Sequence, residues 1–309
     1  MRPQPGKSQA VGCLLLLMFD GFRSFDVQGP AGRLHTLRGG RGAPLLLLHG
    51  HPQSHVMWHA VAEVLARSFT VVLMDLRGYG DSERVASDPA HQAYSKRSMA
   101  LDAVAVMHHH GFDHCQVLAH DRGARVAHRL ALDHPARVQR LMLLDIAPTL
   151  GMYENTTDAF ARAYWHWFFL IQPPPLPESL IDADPTGYVR NVMGKRHAGL
   201  AAFAPAALAE YERCAQIPGS GQSICEDYRA AATIDLDHDR ADIAAGRKLD
   251  QPLRVLWGEH GAVGKCFDVL GLWRERAFCP TGASLPCGHY IAEEVPQQLL
   301  AEAQDFFVT

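Results

Sequence analysis

Residues 116–134 read QVLAHDRGARVAHRLALDH, and this stretch decides the fold. Residues 116–120 are predicted to form a buried strand, and residues 123–134 have the spacing of a helix that Pro135 ends. The junction AHDRG (119–123) places Asp121 between small residues two positions away on each side. A sharp strand-to-helix turn needs such small neighbours, and it exposes the central side chain as a nucleophile. The same aspartate could instead cap the N-terminus of the helix.

Further strands and helices alternate on both sides of this stretch. Apolar runs at residues 45–48, 71–75, 140–145 and 253–257 are typical of strands buried on both faces of a parallel sheet. Residues 24–28 and 33–37 flank a Gly-Pro-Ala-Gly turn and are predicted to form an opening β-hairpin. A further helical pattern runs over about residues 95–110. The alternation predicts an α/β fold with a mostly parallel, doubly wound sheet.

The alternation stops between residues 149 and 248, where Trp, Tyr, Phe and Pro are frequent. Helical patterns without a convincing strand predict a helical cap, inserted after the sixth strand over the carboxyl edge of the sheet. We therefore expect a core domain of residues 22–149 and 249–309, a cap domain of residues 150–248 and an N-terminal extension of residues 1–21. The extension holds an apolar run at 11–19 that is too short to span a membrane and lacks a cleavage site typical of secretion.

Composition narrows the class of function. The 309 residues include 33 acidic and 29 basic ones, and this near balance excludes a nucleic-acid binder that works by bulk positive charge. Seven cysteines occur singly, without a C-x-x-C pair, which argues against a disulfide framework and predicts a cytoplasmic location. The 18 histidines do not cluster along the sequence with Asp, Glu or Cys as a metal site requires. We predict no metal and no cofactor.

Candidate catalytic residues stand after the predicted strands, where open α/β sheets bind their ligands. Asp145 ends the strand that follows Asp121 in the chain, and His289 lies near the C-terminus, ahead of a final helix. The order of nucleophile, acid and histidine is that of one large class of hydrolases. The chain has no G-x-S-x-G motif, which disfavours an ordinary serine esterase. Glu259 follows the strand of residues 253–257 and is an alternative to Asp145 as the acid.

Eight motifs carry a family resemblance: HGHPQSHVMWH (49–59), DLRGYGDS (75–82), YSKRSMA (94–100), HDRGARV (120–126), LDIAPT (144–149), YWHWFF (164–169), CEDYRA (225–230) and CGHY (287–290). Together they resemble the α/β-hydrolases of the dehalogenase and epoxide-hydrolase branch. More narrowly, the chain resembles fluoroacetate dehalogenases, also called haloacetate dehalogenases. HDRGARV and the cap pieces HW and CEDYRA are specific to the narrower family, and the other motifs mark the superfamily. The resemblance implies the α/β-hydrolase fold.

The resemblance also implies a reaction, the hydrolytic dehalogenation of a short 2-haloacid such as fluoroacetate to glycolate. Asp121 would displace the halide and form an aspartyl ester. His289 would act as general base on the hydrolytic water, and Asp145 would orient His289. The backbone amides of His51 and Arg122 would hold the oxyanion of the second step.

The substrate follows from two arginines and three cap residues. Arg122 and Arg125 lie three positions apart on one helix and would bind the substrate carboxylate beside the anionic nucleophile. By the resemblance, the residues that bind the halide are His166, Trp167 and Tyr228. The expected partner is a small anionic haloacid, with no nucleic acid and no membrane. The sequence leaves open whether the chain forms a homodimer.

Two alternatives stay open. An epoxide hydrolase or a haloalkane dehalogenase would act on a neutral substrate, and Arg122 beside the nucleophile speaks against it. A non-catalytic ligand receptor could share the fold, although the Asp–His–Asp set speaks for an enzyme. The chain departs from the family pattern at His51, where relatives usually carry Phe or Trp, and at residues 192–199 (VMGKRHAG), a short segment without the expected Trp.

Overall fold

The protein is described by a computed structural model, which covers residues 18–308. Eight strands form one sheet: β1 (Arg23–Gln28), β2 (Arg33–Gly40), β3 (Ala43–Leu48), β4 (Phe69–Met74), β5 (Cys115–His120), β6 (Val138–Leu144), β7 (Leu253–Gly258) and β8 (Pro280–Leu285). Most of the predicted extension, residues 1–17, lies outside the described residues. Within residues 18–308, no helix combines the length and apolar character needed to cross a membrane.

The strands lie in the order β1-β2-β4-β3-β5-β6-β7-β8. β1 and β2 form the predicted antiparallel hairpin, and β2 pairs antiparallel with β4. The remaining neighbours are parallel, which confirms the predicted mostly parallel sheet. Strand β8 was not predicted from the sequence, because its residues PTGASL contain no apolar run. A strand with a partner on one side only can form from such a sequence, since it is not buried on both edges.

The predicted buried strands are shielded on both faces. The residues from Leu45 to Leu48 in β3 are each 0% exposed, and β4 and β5 are buried along their whole length. Because successive side chains of a strand point to opposite faces, both faces of the sheet are covered.

Fifteen helices surround the sheet in the described residues: α1 (Ala62–Leu65), α2 (Lys96–His109), α3 (Asp121–Asp133), α4 (Thr149–Glu154), α5 (Asp158–Ala163), α6 (Trp165–Leu170), α7 (Leu176–Ala183), α8 (Pro185–Gly194), α9 (Pro205–Ala215), α10 (Ser220–Ala232), α11 (Ile234–Ala244), α12 (Ala262–Cys266), α13 (Val269–Arg274), α14 (Ile291–Glu294) and α15 (Pro296–Val308). β6 and β7 are neighbours in the sheet, yet α4 to α11 lie between them in the chain. The helical insertion after the sixth strand is therefore confirmed. The boundaries of the core and cap domains stay a prediction.

The carboxyl ends of four neighbouring strands meet at one edge of the sheet. Leu48 of β3 pairs with Ala119 of β5, and His120 of β5 pairs with Leu144 of β6. Leu144 in turn pairs with Leu256 of β7. The segments that leave these strands carry Asp121 and Asp145, so the register brings the predicted catalytic residues to the same edge.

Candidate active site

Asp121 occupies the sharp turn between β5 and α3. The helix begins at Asp121, two residues earlier than predicted, and Asp121 has a positive φ of 45°. This left-handed conformation is unusual for a residue with a side chain, and such strain concentrates at functional sites. A Cβ at Gly123 would lie 2.3 Å from the carbonyl oxygen of His49, and one at Gly50 would lie 2.5 Å from Cβ of Asp121. The turn therefore needs small residues where the sequence has them.

The Asp121 carboxylate is buried, oriented and ionised. Its Oδ2 accepts a hydrogen bond of 3.1 Å from the backbone N–H of His51 and lies 4.0 Å from Nε2 of His289. Burial would raise the pKa of Asp121, but the neighbouring His289, Arg122 and Arg125 lower it to about 2. The side chain is therefore a carboxylate at neutral pH, as a nucleophile must be.

His289 is held by a carboxylate on its other side. Its Nδ1–H donates to Oδ2 of Asp145 at 2.6 Å, and Oδ1 of Asp145 accepts from the backbone N–H of Gly258 at 2.9 Å. Asp145 also has a positive φ, 49°. Such a buried partner fixes the ring so that Nε2 faces the nucleophile. Glu259, the alternative acid, is exposed.

His120 supports the backbone of the histidine loop. Its Nε2 lies 2.9 Å from the carbonyl oxygen of His289, and its ring centroid lies 4.6 Å from that of His289. Burial lowers the pKa of His120 to about 3, so the ring is neutral and donates this hydrogen bond from Nε2. The sequence left the role of His120 undecided, and the structure shows a hydrogen bond to the loop that carries His289.

Arg122 does not present its whole guanidinium to the pocket. Its Nε and Nη2 donate to the carboxylate of Asp227, at 2.8 Å and 3.1 Å, and Nη2 also donates to the Asp227 carbonyl at 2.8 Å. Lys96 forms a second ion pair with Asp227, and all three residues are buried. The expected role of Arg122 in binding the substrate carboxylate stays a prediction, now limited to its remaining nitrogen. Of the three guanidinium nitrogens of Arg122, Nη1 is the one without a hydrogen-bond partner among the described residues.

Arg125 is also fixed by protein groups. Its Nη1 donates to Oγ1 of Thr149 at 2.8 Å and to the carbonyl of Ala147 at 3.2 Å, where the chain enters the cap. Its guanidinium lies over the ring of Trp167, 4.7 Å from the centroid. Its Nε is buried without a partner in residues 18–308. Each of the two arginines therefore keeps one buried nitrogen free to meet a ligand.

The predicted halide-binding residues come together in the cap. The rings of His166 and Tyr228 lie 5.9 Å apart, and those of Trp167 and Tyr228 lie 6.4 Å apart. Nε1 of Trp167 and the hydroxyl of Tyr228 are buried and have no partner in the described part of the chain. Burial, reinforced by the charge of Arg196, lowers the pKa of His166 well below its usual range, so its ring is neutral. Buried donors without partners cost free energy unless a ligand satisfies them.

His51, the residue that departs from the family pattern, joins this cluster. Its ring stacks on His166 with centroids 6.1 Å apart, and its Nε2 lies 3.0 Å from the hydroxyl of Tyr188. Burial lowers its pKa to about 3. An uncharged imidazole therefore forms part of the pocket wall where relatives usually carry Phe or Trp.

Three residues near the pocket were missed by the sequence analysis: Lys96, Arg196 and Asp227. Asp227 and Lys96 do lie within the family motifs CEDYRA and YSKRSMA, but their ion pair joins positions 131 residues apart. Arg196 belongs to the segment 192–199, for which the sequence indicated a short length and a missing Trp but no role of Arg196. Its Nη2 lies 3.5 Å from Nε2 of His166, a contact that no sequence spacing indicates.

One cluster of potential metal ligands corrects the expectation that the histidines stand apart from acidic residues. Ligand atoms of His35, His55 and Asp75 lie within 4.8 Å of one another. Oδ1 of Asp75 accepts from the backbone N–H of His55 at 2.7 Å and from its Nδ1 at 2.9 Å. These hydrogen bonds tie the end of β4 to the loop after β3.

Comparisons with known proteins show which family the chain belongs to. A family model described as alpha/beta hydrolase fold matches residues 43–178. A fluoroacetate dehalogenase from Burkholderia sp is 41% identical over 290 residues, which cover 94% of this chain and 95% of that protein. A soluble epoxide hydrolase from Corynebacterium sp. (strain C12) is 35% identical and covers 89% of this chain and 93% of that protein. A solved alpha/beta hydrolase structure from Nostoc sp PCC 7120 has a TM-score of 0.90 and 55% identity, and it covers 93% of this chain and 98% of that one.

Proposed function

The chain belongs to the α/β-hydrolase superfamily, in the group that includes fluoroacetate dehalogenase, and from this premise we propose that it hydrolyses short 2-haloacids such as fluoroacetate. One observation carries the proposal. The ionised carboxylate of Asp121 stands at the turn, and the cap beside it holds the buried donors of Trp167 and Tyr228 without partners in residues 18–308. A halide leaving from a carbon next to Asp121 would satisfy those donors.

In the first step, a carboxylate oxygen of Asp121 attacks Cα of the haloacid. The carbon–halogen bond breaks, its electron pair leaves on the halide, and an ester forms between Asp121 and the remaining carboxymethyl group. The N–H of Trp167, the O–H of Tyr228 and the ring of His166 stabilise the charge that develops on the halide. Fluoride, which is strongly basic, depends most on these donors.

In the second step, water attacks the carbonyl carbon of the ester. His289 takes the proton of the water through Nε2, and Asp145 stabilises the imidazolium that forms. The backbone N–H groups of His51 and Arg122 hold the oxyanion, the former already aimed at the Asp121 carboxylate. When the intermediate collapses, the bond between the Asp121 carbonyl carbon and the glycolate oxygen breaks, and the imidazolium of His289 protonates that oxygen. The second proton of the water passes to solvent as Asp121 returns to a carboxylate.

The carboxylate of the substrate would bind to one nitrogen of each arginine. Nη1 of Arg122 and Nε of Arg125 are the guanidinium atoms that remain unpaired in the described residues. No carboxylate pairs with Arg125 in the described residues, so its charge is available to offset the substrate carboxylate beside Asp121.

The alternative is an epoxide hydrolase or haloalkane dehalogenase acting on a neutral substrate, and Tyr228 is the observation that favours the epoxide reaction. A buried hydroxyl with no partner in residues 18–308 could donate to the oxygen of an epoxide ring as Asp121 opens it. The ion pair of Arg122 with Asp227 weakens the expectation that Arg122 excludes neutral substrates. Arg125 favours the anionic substrate, since no carboxylate pairs with it in the described part of the chain.

The test offers fluoroacetate, chloroacetate and styrene oxide to the purified protein and to its Asp121→Asn variant. Free halide and diol are measured in parallel. We expect halide from both acids with the unchanged protein and none with the variant. Diol from the epoxide without halide from either acid would replace the proposal by the alternative, and no turnover of any substrate would favour a receptor.

We also propose a cytoplasmic location. Six cysteines lie in the described residues, and all six are free thiols, which suits a reducing compartment. A homodimer stays a prediction, which the molecular mass in solution would decide.

A further inference from the structure

A cavity that opens at the surface reaches His289, and Trp167 and Tyr228 do not line it. It has a volume of about 340 Å³ and lies between the cap and the loop after β7. Besides His289, five of its lining residues carry a positive charge or can acquire one. We call this cavity the cationic vestibule, and these five residues are Lys195, Arg196, His197, His260 and Lys265.

The vestibule attracts anions by its composition. No carboxylate stands among the described residues that line it. Lys195 and Lys265 are exposed and form no ion pair within residues 18–308. The rings of His197 on the cap and His260 on the core lie 4.3 Å apart across its wall. A concave surface with charges of one sign concentrates ions of the opposite sign.

Arg196 lines the cationic vestibule and also contacts His166 of the cap. Its guanidinium lies over the ring of Tyr164, 4.4 Å from the centroid, and its Nη2 lies 3.5 Å from Nε2 of His166. The side chain thus lines the outer cavity and also touches a residue that the proposed reaction uses for halide binding.

The pairing of Arg196 differs from that of Arg122 and Arg129 and resembles that of Arg125, which also has no carboxylate partner in residues 18–308. Arg122 and Arg129 each hold at least one buried carboxylate. Arg196 is half-buried, and none of the carboxylates in residues 18–308 lies within ion-pair distance of it. A guanidinium that is partly removed from water without an anion is costly, so an arriving anion gains from binding there.

We propose that the cationic vestibule is a binding site for small monocarboxylates, and that Arg196 is the specificity-determining residue that receives the substrate carboxylate before Arg122 and Arg125 bind it. This inference rests on the proposed function and adds the route by which an anion is selected. Arg196 contributes to the capture of the anion and takes no part in breaking the carbon–halogen bond.

The test compares the unchanged protein with its Arg196→Gln variant. It measures kcat and KM of each for chloroacetate and for the neutral chloroacetamide. We expect kcat/KM for chloroacetate to fall about 10- to 100-fold, mainly through KM, because a charge-assisted hydrogen bond is lost. Turnover of chloroacetamide should stay within about twofold, since it carries no charge. Arg196→Lys should recover part of the loss, and Lys195→Gln with Lys265→Gln should flatten the dependence of kcat/KM on salt. The matched control is Arg190→Gln, which removes an exposed arginine of α8.

A second arm needs no turnover. Binding of glycolate is measured by calorimetry on Asp121→Asn, with and without Arg196→Gln. Weaker glycolate binding with Arg196→Gln supports the inference even if no haloacid releases halide, an outcome that would end the proposed function alone. Equal behaviour of Arg196→Gln and Arg190→Gln in both arms would overturn the inference.

Discussion

The two halves of the candidate site differ in how completely their polar groups are paired. The core half, Asp121, Asp145 and His289, is bonded throughout: Asp121 to the amide of His51, and His289 to Asp145. The cap half, His166, Trp167 and Tyr228, keeps two buried donors without partners in the residues that the structure describes. The polar groups of the core half are thus paired within the protein, whereas two donors of the cap half have no protein partner in the described residues.

The difference follows from what each half rests on. Asp121 and Asp145 adopt positive φ values of 45° and 49° at the ends of two adjacent parallel strands. Each strained residue costs about 1–3 kcal/mol and persists only where the surrounding structure fixes it. The cap residues lie on two separate helices, α6 and α10, and under the proposed function their unpaired donors bind the leaving halide. Changes in the core half should therefore affect every substrate, and changes in the cap half should depend on the leaving group.

The largest effect should come from the core half. We expect Asp121→Asn to lower kcat by more than about 10⁴-fold, because an amide cannot form the ester. Asp145→Asn should lower kcat by about 10⁴-fold, because His289 loses its orienting carboxylate. Halide release from chloroacetate measures both. Glu259→Gln is the control and should keep the original rate; a loss there, with Asp145→Asn active, would reverse the assignment of the acid.

The second-largest effect should be on stability, after removal of the buried carboxylate of Asp227. Asp227→Asn leaves Arg122 buried without a carboxylate and Lys96 with Asp235 alone, and the free energy of unfolding should fall by about 3–5 kcal/mol. Urea unfolding measures this change. Asp237→Asn removes an exposed ion pair with Arg240 and should cost less than about 0.5 kcal/mol. Equal losses in both variants would show that the buried pair does not support the pocket.

Changes in the halide donors should depend on the leaving group. Trp167→Phe and Tyr228→Phe should each lower kcat for fluoroacetate by about 10²- to 10³-fold, because one donor to the leaving group is lost. The loss should be smaller for bromoacetate, since bromide is less basic. Trp165→Phe, on the exposed side of the same helix, is the control. Equal losses for both acids would place these residues in packing and not in halide binding.

Acid should have the smallest effect on the first step. The pKa of Asp121 in the folded chain is about 2, below the usual 3.8. The ionised side chain therefore stabilises the fold fully above about pH 4, and this stabilisation is lost as the pH falls through about 2. Single-turnover halide release by an excess of enzyme should therefore keep its rate from about pH 8 down to about pH 4. A rate that already halves above about pH 5 would contradict an ionised Asp121 in this pocket.

Local sequence patterns predicted the core half, whereas the cap half rested on the family resemblance alone. Asp121 and Asp145 follow apolar runs typical of buried strands, and parallel strands place such residues at one edge. No local pattern identifies His289, which was predicted from the order of nucleophile, acid and histidine in the superfamily. The ion pair of Arg122 with Asp227 spans 105 positions between a core helix and a cap helix, and no local pattern encodes it. The position of Arg196 depends on how the segment 192–199 packs, which periodicity does not describe.

The most direct measurement of the central claim is the mass of the His289→Asn variant after incubation with fluoroacetate. Ester formation needs Asp121 and the cap donors, whereas ester hydrolysis needs His289. We predict release of about one fluoride per chain and a carboxymethyl group attached to the peptide that contains Asp121. Fluoride release without an adduct, or an adduct on another residue, would contradict nucleophilic displacement by Asp121.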